Sequence, residues 1–116
     1  MTERELQGKI VKLLRQLRIE ALWHRLDRRS AATVSWPDIT FAYHGSAYAW
    51  EIKLPTGRLR PEQTEMLERL SRPPNKWSVH VIRSLDEAIE SVERLQRHPA
   101  RCYNHRGRFA SRDTNL

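Results

Sequence analysis

Two strand-forming runs, residues 38–43 and 47–54, are separated only by His44, Gly45 and Ser46. So short a connection permits antiparallel pairing and excludes a parallel crossover, which needs about a dozen residues or more. The hairpin has a chemical consequence. Asp38 opens the first run, and Glu51 and Lys53 lie toward the end of the second, so pairing brings them to the same end of the hairpin. Glu51 and Lys53, two residues apart on a strand, share a face. Three charged groups then converge beside apolar strands, where burial costs free energy unless they pair or hold an ion.

Helical periods flank the hairpin. Leu6, Ile10, Leu13, Leu14 and Leu17 recur at helical spacing over residues 3–17, which predicts an amphipathic helix with Thr2 as its cap. At about 100° per residue Glu3 projects into the apolar face and Glu5 falls outside it. An acid so placed is either part of a site or a first-turn residue that the helix dipole favours and that touches water. Pro55, Thr56 and Gly57 break the second strand, and Pro61 suits the first turn of a helix carrying Met66, Leu67 and Leu70, with Gln63 on its inward side. Pro73 and Pro74 end that helix, and Trp77, Val79 and Val81 alternate as a third strand. Ser84 and Glu87 have the spacing of a capping box ahead of a last helix through Leu85, Ala88, Ile89, Val92 and Leu95. Residues 24–36 hold no sustained period and are expected as a loop or irregular strand, with Arg25, Arg28 and Arg29 available to phosphate. The expected fold is mixed α/β, a central mixed sheet containing the hairpin and flanked by helices, in the order α-β-β-α-β-α.

A chain of 116 residues suits one domain. With 39% hydrophobic and 30% charged residues it fits a folded, soluble protein better than a disordered one. No run reaches membrane-spanning length and the polar N-terminus lacks a leader pattern, so an intracellular, cytoplasmic location is expected. Cys102 is the single cysteine, which rules out an internal disulfide and a thiol-rich zinc site, so a metal would be held by oxygens or histidines. The folded domain is expected over residues 1–96. Residues 97–116 read as a basic tail, in which Arg97, Arg101, Arg106, Arg108 and Arg112 face only Asp113. That tail is either an arm that tracks phosphates or a solvated terminus. The formal charge of +7 suits a polyanionic partner, but solvated cations without a ligand give the same count.

Asp38 and Glu51 offer hard oxygen ligands for Mg²⁺ or Mn²⁺, and the backbone carbonyl of Ile52 adds a third. Such an ion polarises a phosphodiester and stabilises the charge of an in-line displacement, while Lys53 would position the attacking water. A Pro-Asp followed by Glu-x-Lys is by itself a short pattern that chance strand-end charges also produce.

More of the chain fits one pattern. From Glu3 to about Leu95 it resembles the VRR-NUC family, a compact branch of the PD-(D/E)XK nuclease superfamily. The resemblance lies in Glu3-x-x-Leu6, Trp36-Pro37-Asp38, Glu51-Ile52-Lys53, Gly57-Arg58-Leu59 with Pro61 and Gln63, the closing strand, and the Ser84-Leu85-Asp86-Glu87-Ala88 helix start. It implies a restriction-endonuclease-like core and a metal-dependent DNA endonuclease that hydrolyses phosphodiester bonds. Asp38 and Glu51 would hold Mg²⁺ or Mn²⁺, Lys53 would serve the water, and Glu3, directly or through a water, would complete the site with Gln63. The plainer role for Gln63 is a helix-packing amide. Arg58 and Arg60, with Arg28 and Arg29, become phosphate-contact candidates, against a solvated turn for the first two. Ser35 and Asn75-Lys76 stand where the family usually has glycine, and Arg60 stands where a small capping residue is usual; none of these removes a ligand. Single-domain members look like structure-selective nucleases that act as homodimers on branched DNA, including four-way junctions. So small a stand-alone nuclease suits a bacterial virus or prophage.

Three other readings compete. A basic nucleic-acid-binding module with the same fold would lack the joint presence of Asp38, Glu51 and Lys53. A sequence-specific restriction-type nuclease needs extra elements to reach base edges, and the chain has few to spare. A structural adaptor would bind RNA or acidic protein through its tail regardless of chelator or Lys53.

Overall fold

The structure, a computed structural model, describes residues 1–23 and 35–97. The 24–34 stretch with Arg25, Arg28 and Arg29, and the tail beyond Arg97, lie outside the described residues. Helix α1 (Glu3–Gln16) begins at a capping box. The Thr2 hydroxyl accepts from the Glu5 N–H at 3.1 Å and the Glu5 carboxylate accepts from the Thr2 N–H at 2.9 Å, so two otherwise orphaned backbone donors are satisfied. The second bond also holds the Glu5 carboxyl below its ordinary pKa. After Arg18, whose φ is 62°, the chain enters β1 (Ala21–Trp23), then β2 (Ile39–Tyr43), β3 (Ser46–Ile52), α2 (Pro61–Ser71), β4 (Ser78–Ile82) and α3 (Leu85–Arg97).

The four strands form one sheet in the order β1-β2-β3-β4. The β1–β2 and β2–β3 pairings are antiparallel, and β3–β4 is parallel, with α2 in the crossover. The expected order of elements holds, with one addition. Strand β1 is a three-residue edge strand whose Leu22 is 73% exposed, so it never builds the in–out alternation that marks a strand in a sequence. The hairpin turn is also tighter than expected. His44 and Gly45 alone form it, with φ of 51° and 84°, and Ser46 already pairs with Tyr43. Positive φ at both central positions matches the right-handed twist of the strands it joins.

The two faces of the sheet differ. Ile39, Phe41, Tyr48, Trp50 and Ile52 share the face that packs on Leu6, Ile10 and Leu14 of α1 and on Ala88 and Val92 of α3. Phe41 stacks on Tyr48 with ring centroids 5.1 Å apart and meets Trp50 edge-on at 5.0 Å. The alternate residues Asp38, Thr40, Ala49 and Glu51 face the other way, toward the side on which α2 buries Gln63, Leu67 and Leu70. Among the described residues no helix is long and apolar enough to cross a membrane.

Candidate active site

The β2–β3 register pairs Ile39 with Trp50, and one further step sets Asp38 opposite Glu51. Both side chains lie on the α2 face and both are buried, at 1% and 2% exposure. Each is oriented by an N–H donor. Strand β2 starts only at Ile39, and beyond its end the Ile52 N–H donates to Asp38 Oδ2 at 2.8 Å. In an extended strand the N–H and C=O of one residue point the same way, so the Ile52 carbonyl is directed to the same side as Asp38.

Helix α2 supplies the second donor. Gln63 Nε2 donates to Glu51 Oε2 at 2.9 Å, and Gln63 Oε1 accepts from the Arg60 N–H at 2.8 Å. Pro61 occupies the first helical position, where its missing N–H is no loss, and that start places Gln63 in the first turn, within reach of Glu51. The Gln63 side chain is 3% exposed. Its amide satisfies one backbone donor and fixes one carboxylate, so the packing role and the site role coincide.

Beyond Glu51 the chain turns sharply. The Gly57 N–H donates to Leu54 O at 2.8 Å, and Arg83 Nη1 donates to Leu54 O at 2.9 Å and to Gly57 O at 2.7 Å. The guanidinium thus holds the 54–57 turn from the β4–α3 junction. Half-buried Lys53 immediately precedes this turn, one residue past the end of β3, and its N–H donates to Ile82 O at 3.1 Å. Half-buried Glu3 approaches from α1, with its Oε2 3.6 Å from the position a Cβ on Gly57 would take. Gln7, one helical turn further on, reaches the Asp38 carbonyl at 3.4 Å, a long hydrogen bond that ties α1 to the start of β2.

The structure therefore brings Asp38, Glu51 and Gln63 together in the interior, with Lys53 following directly on β3 and Glu3 at the neighbouring turn. Among the described residues no group of three or more His, Cys, Asp or Glu side chains is placed to hold a metal. The available donor set is two carboxylates and the Ile52 carbonyl. An all-oxygen set that leaves positions for water and phosphate fits Mg²⁺ or Mn²⁺ rather than zinc. Arg58 and Arg60 are exposed. Arg60 Nε lies 3.7 Å from Glu62 Oε2 with both side chains more than half exposed, a contact that holds neither strongly. Arg28 and Arg29 lie outside the described residues.

Two residues that position the site, Gln7 and Arg83, do not stand out in the sequence. Gln7 sits four residues after Glu3 at the edge of the apolar stripe, so helical projection carried further would have marked it. Arg83 gives no such signal, because its partners are carbonyls 26 and 29 residues away. Comparison with protein-family models, with curated proteins and with solved structures finds no match to this chain.

Proposed function

We propose that this chain is a metal-dependent DNA endonuclease of the VRR-NUC kind, with its site on Asp38, Glu51 and Lys53. The observation that carries this reading is the pair of buried carboxylates set opposite each other at the strand ends, each oriented by a neutral N–H donor. A divalent cation offsets the repulsion of two such charges in a poorly solvated place. Asp38, Glu51 and the Ile52 carbonyl would hold Mg²⁺ or Mn²⁺. When bound, the ion supplies Lewis-acid polarisation of a phosphodiester and stabilises the charge of the displacement.

The chain's own residues do the rest. The Ile52 N–H and the Gln63 amide hold the two carboxylates in one orientation, so little reorganisation accompanies the reaction. Lys53 positions the attacking water on the same face, and Glu3 reaches the site from the neighbouring turn through a water. Arg58 and Arg60 take flanking phosphates, contacts that set orientation and carry no sequence preference. The proposed substrate is branched DNA such as a four-way junction, cut inside the cell in a bacterial or phage setting. A homodimer provides the two sites that a two-fold symmetric junction needs.

The test incubates the purified protein with labelled four-way junction, flap, duplex and single-stranded DNA in Mg²⁺, Mn²⁺ or EDTA, beside Lys53→Ala. Cutting that requires metal and disappears in the variant supports the assignment and ranks the substrates. Intact DNA in every lane despite retained binding overturns it in favour of a binding module.

A further inference from the structure

Helix α1 buries one face in the core, and its outward face borders a groove of about 540 Å³. Arg4, Gly8, Lys12 and Arg15 follow one another along this face, and Trp23 of β1 closes the far end. Among the described residues no acidic side chain lines the groove. The Arg15 guanidinium lies over the Trp23 ring, 4.9 Å from its centroid, and Trp23 remains 38% exposed. Gln7 also lines the groove and donates to the Asp38 main-chain carbonyl at 3.4 Å, which ties the groove to the start of β2.

Gly8 adds an independent observation. Among the described residues a Cβ built on it would meet nothing within 4 Å, so neither packing against them nor an unusual backbone angle calls for glycine in the middle of this helix. A bare helix surface at the centre of a cationic groove allows a ligand to approach the backbone closely.

We infer that this groove binds a single nucleic-acid strand, with phosphates along Arg4, Lys12 and Arg15 and a base stacked at Trp23, and leads it toward Asp38. A positive track beside an exposed aromatic is the combination that holds unpaired strands. From Arg4 to Arg15 the stripe runs about 16 Å along the helix axis, and a groove of this size takes a drug-sized unit, a nucleotide or two, rather than a duplex. Charge argues against occupation by the chain itself. Residues 24–34 carry Arg25, Arg28 and Arg29 against Asp27, and the tail beyond Arg97 is also basic, so neither complements a cationic groove. The path into the candidate site rests on the nuclease reading, whereas binding in the groove does not.

The experiment measures fluorescence anisotropy of the full chain with labelled oligothymidylate and with a blunt duplex of equal length, in EDTA so that cutting is absent. Lys12→Glu combined with Arg15→Glu is expected to weaken single-strand binding about tenfold or more and to reduce the salt slope by about 1.4. Gly8→Gln, which fills the groove without changing charge, is expected to weaken it about fivefold, with the helix intact by circular dichroism. Arg69→Glu with Arg72→Glu, on exposed positions in the last turn and at the C-cap of α2, controls for net charge. Groove variants that bind as the wild type does, or the same loss from the α2 pair, overturn the inference. Metal-dependent cutting is assayed separately. Groove-dependent binding without cutting leaves this inference standing and removes the nuclease reading, and cutting with unaffected groove variants does the reverse.

Discussion

Gln63 Nε2 lies 2.9 Å from Glu51 Oε2 while the same amide accepts from the Arg60 N–H at 2.8 Å; one side chain joins the first turn of α2 to the end of β3. Replacing it with leucine leaves a buried carboxylate and a backbone donor each short of one partner. The expected cost is about 1–3 kcal/mol, read as a lower melting temperature. Gln63→Glu sets a third carboxylate against Glu51, so its loss should be larger in EDTA and should recover in Mg²⁺. A deficit that metal leaves unchanged would argue that no cation sits beside Glu51.

Metal should stabilise the folded chain. At a free Mg²⁺ or Mn²⁺ concentration about a hundred times the dissociation constant, the gain is about 2.7 kcal/mol, visible in a thermal melt. Asp38→Asn keeps an oxygen to accept the Ile52 N–H and removes the charge, and Glu51→Gln does the same opposite it. Both variants should lose most of the metal-induced shift. Variants that keep the full shift would move the metal elsewhere.

Gly8→Ala should raise stability by about 0.5–1 kcal/mol, the helix penalty of glycine relative to alanine. Among the described residues the added methyl meets no neighbour, so no steric cost from them opposes the gain. Denaturant titration reads the difference directly, and an unchanged or lower midpoint would show that the space beside Gly8 is filled in solution.

His80 should make stability depend on pH. Its desolvation, followed by the nearby Arg94 charge, lowers its pKa from the ordinary 6.5. The unfolded chain therefore binds more protons than the folded chain between the lowered value and 6.5, and stability rises with pH across that window. Acidifying from neutrality through 6.5 should depress the melting temperature, with a slope worth a fraction of one proton. His80→Gln should flatten that segment of the profile and leave the carboxylate region below it in place.

Much of this architecture follows from local rules that act within a few residues. Thr2 caps α1 through Glu5, Pro61 opens α2, and the short hairpin connection forces Asp38 and Glu51 to one end of a strand pair. What escaped the sequence depends on distance or exposure. Strand β1 has only three residues and its Leu22 faces outward, so no period marks it. Arg83 looks like any junction cation until the fold brings the Leu54 and Gly57 carbonyls to it. The hairpin turn differs by one residue because His44 adopts a positive φ, which non-glycine residues seldom do; composition favours the longer turn. Gln7 projects at the edge of the apolar stripe of α1, but its partner, the Asp38 carbonyl, appears only once α1 meets the start of β2.

The grip of Arg83 on the 54–57 turn also bears on the order in which the chain is made. The two carboxylates and the lysine are all present by residue 53, and their helix partner Gln63 follows within one turn of α2. The guanidinium that shapes the loop between them is thirty residues later than Lys53, at the edge of the last strand. A chain still emerging from the ribosome thus carries Asp38, Glu51, Lys53 and Gln63 before it carries the clamp, and the arrangement becomes whole only once β4 has docked in parallel on β3. Completion of the sheet is in this sense a built-in checkpoint on the site's assembly, set by topology rather than by a separate inhibitory segment.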